Sequence, residues 1–226
     1  MSSSVVKVVS YSQDDTHEKG NLEQIVCYCA RVSNPTNQMN TATNEKLAKY
    51  LMKNSHWSPF EMVSICLEIN TTRDIARQIL RHRSFSFQEF SQRYAEPELG
   101  MEYKDARLQD KKNRQNSIEL VDKNTHPLQI QWLDEQKKIA TQCQETYNWA
   151  ITNGIAKEQA RAVLPEGITM SRLYMNGTLR SWIHYIQLRS AEGTQMEHRI
   201  IATECANAIS PMFPQIMEFV GLKSDK

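Results

Sequence analysis

Met62-Val63-Ser64-Ile65-Cys66-Leu67-Glu68-Ile69-Asn70 alternates with a period of two, with Val63, Ile65, Leu67 and Ile69 on one side and Ser64, Cys66, Glu68 and Asn70 on the other. Successive strand side chains point to opposite faces, so this stretch reads as a strand with one polar face. Such a strand suits an antiparallel sheet, because parallel strands are covered on both faces. The period changes at Thr71-Thr72-Arg73-Asp74, which supplies hydroxyl caps and a first-turn carboxylate for a helix. The helix is expected to reach about Arg83, with Ile75, Ile79 and Leu80 inward. Arg73, Arg77 and Arg81 then form one cationic stripe at i, i+4 and i+8. Like charges at that spacing repel, so the stripe calls for an anion or carboxylate partner. For Arg73, further from the motif below, a solvated position is an equal alternative.

On the N-terminal side, Val5 to Tyr11 reads as a first strand, and Leu22, Ile25, Val26, Cys29 and Val32 repeat at helical spacing over about 21 to 32. Ser33-Asn34-Pro35 stops that helix. A second covers about 43 to 54, and His56 to Glu61 forms a turn before the strand. On the C-terminal side the pattern returns to period two from Ser84 to Phe87. The stretch from Ala95 to Thr125 is polar and irregular, and residues 96–125 are expected to form a long loop, serving as a lid or a subunit contact.

Pro127 opens a long helix ending at Gly154, with Leu128, Trp132, Ile139, Cys143, Tyr147 and Ile151 as its inward face. Ala156 to Leu164 is a further helix, Ile168 to Met175 a strand, and Asn176-Gly177 a turn. Thr178 caps a helix through about Ala191, with Arg180, His184 and Gln187 on one face. Thr194-Gln195-Met196-Glu197 reads as a capping box opening a last long helix to about Ile209. Helices dominate and the strands mostly lie outside βαβ alternation. The expected class is α+β, a mostly helical chain with a small, mainly antiparallel sheet in one domain over 1–226.

Composition narrows the function. The 226 residues carry a formal net charge of +1, without the broad basic excess of a generic nucleic-acid or membrane-surface binder. The five cysteines are scattered and include no CxxC pair. They read as reduced thiols, no histidine cluster has metal spacing, and no metal is expected. Met1 to Ser10 lacks a charged-then-apolar leader and no window approaches a membrane span, so a soluble, intracellular, cytoplasmic protein is expected. Glycine is scarce, at seven residues, with no GxGxxG or GxxxxGK[ST]. Any phosphate must therefore be held by side chains.

The chemistry concentrates in Arg81-His82-Arg83-Ser84-Phe85-Ser86-Phe87-Gln88-Glu89-Phe90-Ser91-Gln92-Arg93-Tyr94. Arginine forks suit phosphates and carboxylates, and aromatic faces suit flat heterocycles. The stretch reads as a nucleotide-type anion site, with a helix end followed by an edge strand as the plainer alternative. Further polar groups gather at His56 to Glu61, at Arg161, and at Arg180, His184 and Arg189. Each has a plain reading as well: a turn histidine, an arginine lying along an apolar face, an interhelical histidine. Ser91 has no general base beside it, and phosphate binding by Ser91 and Arg93 is the better account. Binding groups without a nucleophile point to chemistry done by a cofactor.

Arg81-His82-Arg83, seven residues and then Ser91 resembles the RHR-x7-S signature of the flavin-dependent thymidylate synthases, the ThyX family. The likeness extends through Glu89, Arg93 and Tyr94. It recurs in Ala30-Arg31-Val32-Ser33, His56-Trp57-Ser58-Pro59-Phe60-Glu61, Ala160-Arg161-Ala162-Val163-Leu164-Pro165 and Arg180 to Arg189, and is weakest over 96–150. Phe85 to Tyr94 is most similar to the viral-type members, which would place the protein in a host cytoplasm.

The resemblance implies reductive methylation of dUMP to dTMP, with FAD as redox cofactor, NADPH as reductant and methylenetetrahydrofolate as one-carbon donor. It also implies a homotetramer whose active sites are shared between subunits. By that likeness Gln78, Arg81, Glu89, Phe90, Ser91, Gln92, Arg93, Arg161 and Arg189 form the dUMP set. Ser91, Arg93 and Arg161 would lie on the phosphate, and Arg189 would be catalytic, against the uracil ring. Ser58, Arg81, His82, Arg83, Glu89, Arg180 and His184 form the FAD set, with His56, Ser33 and Glu61 near it. Thr178 stands where many members carry Asn. Two other classes stay open. A nucleic-acid-binding module would show a broad basic surface and steep salt dependence. A flavoprotein oxidoreductase without methyl transfer would differ only in its product.

Overall fold

A computed structural model describes residues 5–15, 21–97 and 99–222. The reading of a missing leader falls partly on Met1 to Ser4, which lie outside the described residues. Four strands form the main sheet: β1 (Val5–Tyr11), β2 (Ser64–Thr72), β3 (Ser86–Glu89) and β6 (Met170–Thr178). Their order is β1-β2-β6-β3 and every neighbouring pair is antiparallel. The long central pairing sets Ser64 opposite Thr178 and Thr72 opposite Met170. Ile65, Leu67 and Ile69 are fully buried, as the alternation requires. On the polar face, Glu68 accepts a hydrogen bond from Tyr174 Oη (3.1 Å), and Asn70 Oδ1 accepts one from Arg172 Nε (3.0 Å).

The helices are α1 (Leu22–Ala30), α2 (Asn44–Lys53), α3 (Arg73–Ile79), α4 (Pro127–Thr152), α5 (Lys157–Ala160), α6 (Leu179–Ser190), α7 (Met196–Ile209) and α8 (Gln215–Phe219). Leu22 and Val26 of α1, Ile75 and Ile79 of α3, Trp182 and Ile186 of α6, and Ile201 and Ile209 of α7 share one core with β2 and β6. Trp182 is wholly buried because its indole N–H has an acceptor, the carbonyl of Ile65 at 3.0 Å. Among the described residues no helix is long and apolar enough to cross a membrane, and no group of three or more acidic, histidine or cysteine residues could hold a metal ion.

Several expectations are corrected. Helix α3 stops at Ile79, so Arg81-His82-Arg83 leaves the helix and begins the crossing to β3. Thr72 precedes α3 without a side-chain cap. Its hydroxyl donates to Asp74 Oδ1 (2.5 Å) and accepts from Lys104 Nζ (2.8 Å). The expected turn at Asn176-Gly177 is strand, because Gly177 pairs with Ile65 within β6. A Cβ at Gly177 would lie 2.4 Å from Phe85 Cδ1, so the missing side chain is what seats the Phe85 ring. The Thr194 capping box does not form, since α7 begins after Gln195 without a side-chain cap. A capping box forms instead at Asn21 and Gln24, ahead of α1. Thr178 does cap α6, accepting from the Ser181 N–H.

The segment 96–125 is less irregular than expected. It contains a hairpin of β4 (Arg107–Gln109) and β5 (Ser117–Glu119). It is also held in place by the first half of α4, whose inward face is not the apolar one there, whereas further along Tyr147 is buried as expected, with Ala140 and Ala150, and Ile151 packs beside it. Leu128, Trp132 and Ile139 are exposed, while Gln129 and Gln136 are buried. Gln136 binds both the N–H and the C=O of Lys104 (2.8 Å each), and Gln129 Oε1 accepts from the Ala106 N–H (2.6 Å). The two amides act as a neighbouring strand would for residues 104–106, satisfying backbone groups that the interior would otherwise leave unpaired. Arg107 closes the arrangement on Glu197 of α7 at 2.6 Å.

Candidate active site

Phosphate-type side chains gather at the end of the sheet where β3 finishes and β6 starts. The N–H of Phe90 donates to Arg172 C=O (2.8 Å), and that of Arg73 to Thr169 C=O (2.9 Å). These bonds bring the 90–94 segment and the first turn of α3 to one edge. Glu89 accepts from Ser171 Oγ at 2.9 Å and has Arg73 at 3.5 Å. Phe90 borders a small pocket with Pro97, Leu99 and Met170. Ser91 Oγ accepts from the Arg93 N–H (3.4 Å). Arg93 lies 3.5 Å from the Glu158 carboxylate, while Arg161 Nε donates to the Glu158 carbonyl at 3.2 Å. One residue of α5 thus links Arg93 and Arg161. Gln92 is 3 % exposed, and its Nε2 has no hydrogen-bond partner among the described residues. An orphaned buried amide of this kind is uncommon in a finished interior.

The cationic stripe that starts on α3 resolves into two parts. Arg73 and Arg77 share the Glu166 carboxylate, Arg77 through Nε (2.5 Å) and Nη2 (2.9 Å), Arg73 through Nε (3.2 Å). The Arg77 fork is the main cause that holds the Glu166 pKa down at about 2, Arg73 adding to it against the opposing effect of burial. Arg81 is exposed and, among the described residues, has no ion pair, and the same is true of Arg83.

At the opposite end of β3, Ser181 Oγ donates to Ser84 C=O (3.3 Å) and the Leu179 N–H to Val63 C=O (3.0 Å). Here stand Ser58 and Glu61, in a helical turn over Ser58–Glu61, together with Arg180 and His184 of α6. Arg180 forms an ion pair with Glu61. The Trp57 ring meets His184 edge-on at 4.5 Å, and burial, then Arg180, lowers the His184 pKa. His56 is exposed beside Tyr50, and Ser33 borders a cleft of about 470 Å³ with Arg31 and Tyr50.

Between the two ends, α3, α6 and α7 meet in a polar junction. Arg189 Nε donates to His82 Nε2 at 2.9 Å. His82 is half-buried. Its pKa is pushed down to about 4 by burial first, then by the charges of Arg189 and Arg81. A neutral imidazole that accepts at Nε2 carries its proton on Nδ1. Gln78 Nε2 donates to Gln195 Oε1 (2.8 Å), and Gln78 Oε1 lies 3.2 Å from His198 Nδ1. His198 Nε2 lies 3.1 Å from Tyr185 Oη, and the Tyr185 ring meets His82 edge-on at 4.9 Å. Within one chain the predicted residues therefore form three clusters: Glu89 to Arg93 with Arg161, Gln78 with His82 and Arg189, and Ser58 with Arg180 and His184.

Sequence reasoning missed Tyr185, His198, Glu158 and Glu166. His198 carried a usable signal, because it shares one helix face with Ile201, Ala202 and Cys205, and a histidine on a core face requires a partner. Glu166 was foreseen only as an unnamed anion or carboxylate partner of the stripe.

Comparison with known proteins adds the following. The sequence model of the family described as "Thymidylate synthase complementing protein" matches residues 15–215. A probable flavin-dependent thymidylate synthase of Paramecium bursaria Chlorella virus 1 is 46% identical over 210 residues, covering 93% of this chain and 95% of its own. A flavin-dependent thymidylate synthase of Synechocystis sp. is 46% identical over 197 residues, covering 86% and 87%. Among solved structures, the UMP/dUMP methylase PolB from Streptomyces cacaoi bound with 5-Br dUMP superposes with a TM-score of 0.81 at 26% identity, covering 98% of this chain and 96% of that one.

Proposed function

The chain belongs to the flavin-dependent thymidylate synthase family, and from that premise we propose that it methylates dUMP at C5 to give dTMP. Methylenetetrahydrofolate supplies the one-carbon unit, FAD is the redox cofactor and NADPH the reductant. The observation that carries this reading is Arg189 held on a neutral His82, which is flanked by two cations, Arg81 and Arg83, that have no carboxylate partner among the described residues.

Neighbouring groups take roles that their geometry supports. Ser91, Arg93 and Arg161 hold the nucleotide phosphate, with Glu158 ordering the two guanidinium groups until the anion arrives. The buried Gln92 amide and the anchored Glu89 line the same end, beside Phe90. The Arg189 guanidinium stabilises negative charge developing on the uracil ring. Its hydrogen bond to His82 fixes the direction of the guanidinium plane in advance. Ser91 binds without covalent attack, since among the described residues no base is hydrogen-bonded to its hydroxyl.

The residues fit a flavin dinucleotide. Its diphosphate needs unpaired cations and side-chain donors, and Arg81, Arg83 and Ser58 are exposed and available. Arg180 and His184 flank that end of the sheet. When bound, the reduced flavin supplies the electrons of the reductive methylation.

A homotetramer with shared active sites is part of the same reading. Its support is the exposed apolar face of α4, where Leu128, Trp132 and Ile139 need a cover, and the separation of the site residues into three clusters within one chain. The test is the visible spectrum of the purified protein before and after anaerobic NADPH, with and without dUMP. Oxidised-flavin bands that bleach at a rate set by dUMP support the reading. A colourless protein that takes up no added FAD overturns it.

A further inference from the structure

We propose that Tyr185 and His198 are positioning residues that fix which end of the Gln78 amide faces the nucleotide, presenting N–H rather than C=O, so that the site prefers a pyrimidine carbonyl to an exocyclic amino group. This rests on the reading of Gln78 as a contact of the bound nucleotide.

His198 is 0% exposed and bridges Tyr185 Oη at Nε2 (3.1 Å) and Gln78 Oε1 at Nδ1 (3.2 Å). A neutral imidazole donates from one nitrogen and accepts at the other. The doubly protonated ring is excluded by burial and by the adjacent Arg189 and His82, which hold the pKa at about 3. Two polarities remain. In one, His198 Nε2–H donates to Tyr185, and the phenol proton needs an acceptor of its own. Tyr185 is 1% exposed, and among the described residues His198 is its one hydrogen-bond partner. That polarity strands a buried donor, which a folded interior rarely tolerates.

The other polarity leaves no such orphan. Tyr185 O–H donates to Nε2, and Nδ1–H donates to Gln78, which must offer its oxygen. The Gln78 amide nitrogen then faces away from His198, with one N–H on Gln195 Oε1 (2.8 Å) and the second without a partner among the described residues. The half-exposed Gln78 therefore presents a donor to a ligand. A uracil carbonyl meets it with a lone pair, whereas a cytosine amino group meets it with hydrogen.

The experiment measures dUMP and dCMP affinity by competition in the flavin-loaded protein. Parent protein is expected to prefer dUMP. Tyr185→Phe releases His198 to take either tautomer and Gln78 to turn over, so the preference falls about tenfold, the factor equal to one such hydrogen bond. Turnover at saturating dUMP stays within about threefold, because nothing in the sequence Tyr185–His198–Gln78 has been given a role at the reacting carbon. The Gln78→Glu protein, which offers only acceptors, separates the two levels of the argument. If it binds dUMP as well as the parent does, the reading of Gln78 as a nucleotide contact fails, and the proposal with it. If it loses dUMP while Tyr185→Phe keeps its full preference, the proposal alone fails. Ring ¹⁵N shifts of His198 in the unsubstituted protein test the polarity directly. A proton on Nδ1 supports the proposal, and one on Nε2 overturns it.

Discussion

Arg189 donates a hydrogen bond from Nε to Nε2 of His82 across 107 residues of sequence, at 2.9 Å. The bond joins the last turn of α6 to the Arg81-His82-Arg83 stretch, and it requires His82 to be neutral. A cation that accepts nothing and a histidine that must not be protonated are thus set against each other at the centre of the site.

Replacing Arg189 with alanine should damage catalysis more than folding. Removing a preorganised charge from a reacting ring costs on the order of 10²–10³ in kcat. The thermal midpoint should fall only slightly, since the group is half-exposed and makes one side-chain hydrogen bond among the described residues. The loss of a neighbouring positive charge should also raise the His82 pKa from about 4 towards its ordinary value of 6.5. Imidazole NMR titration of the variant reads the second effect. An unfolded variant with unchanged activity per folded molecule would show the assigned role to be wrong.

Stability should fall as pH drops from about 6.5. His82 and His198 titrate at 6.5 when unfolded, and are held at about 4 and about 3 in the folded chain, chiefly by burial. Between those values the unfolded state binds more protons than the native one, so acid favours unfolding. For the fully buried His198 the slope approaches about 1.4 kcal/mol per pH unit. Glu166, held at about 2 by Arg77, adds to the loss only below its ordinary 4.5. Urea midpoints taken from pH 7 to 5 isolate the histidine part. A flat profile over that range would contradict the buried, neutral assignment.

Ser91→Ala should weaken dUMP binding while leaving turnover at saturating dUMP, if the hydroxyl donates to the nucleotide phosphate as proposed. The rise in KM should be about tenfold, the effect of one hydrogen bond to a charged group. Abolished single-turnover chemistry at saturating dUMP would instead assign Ser91 a role in the reaction.

Gly177→Ala should be destabilising by about 1–3 kcal/mol, the usual effect of overpacking. Its new methyl would meet Phe85 Cδ1 at 2.4 Å and Cε1 at 2.6 Å. Phe85→Leu alone should also cost stability, but the double variant should be more stable than the sum of the two. Strict additivity in a denaturation cycle would rule out the contact as the cause.

Strands β1 and β2 and the bounds of α1, α2, α4 and α6 were legible because period and punctuation are local properties of the chain. The Met62 to Asn70 alternation also predicted an antiparallel sheet, and the chain has one. What failed depended on partners distant in sequence. Trp132 and Ile139 look like core residues by type, yet α4 turns Gln129 and Gln136 inward because the backbone of 104–106 needs hydrogen bonds there. Gly177 resembles a turn residue until Phe85 is seen against it. In the site, the arginine stripe called for an anion or carboxylate partner without naming Glu166, 89 residues beyond Arg77. The link from Gln78 to His198 spans 120 residues and leaves no local pattern.

The measurement that bears most directly on the whole account is the fate of a labelled methylene carbon. The protein would be incubated with dUMP, FAD, NADPH and methylenetetrahydrofolate labelled at its one-carbon unit, and each component omitted in turn. The account predicts label in the C5 methyl group of dTMP, lost on every omission. NADPH oxidation with dUMP recovered unchanged would contradict it, and would leave a nucleotide-binding flavoprotein that transfers no carbon.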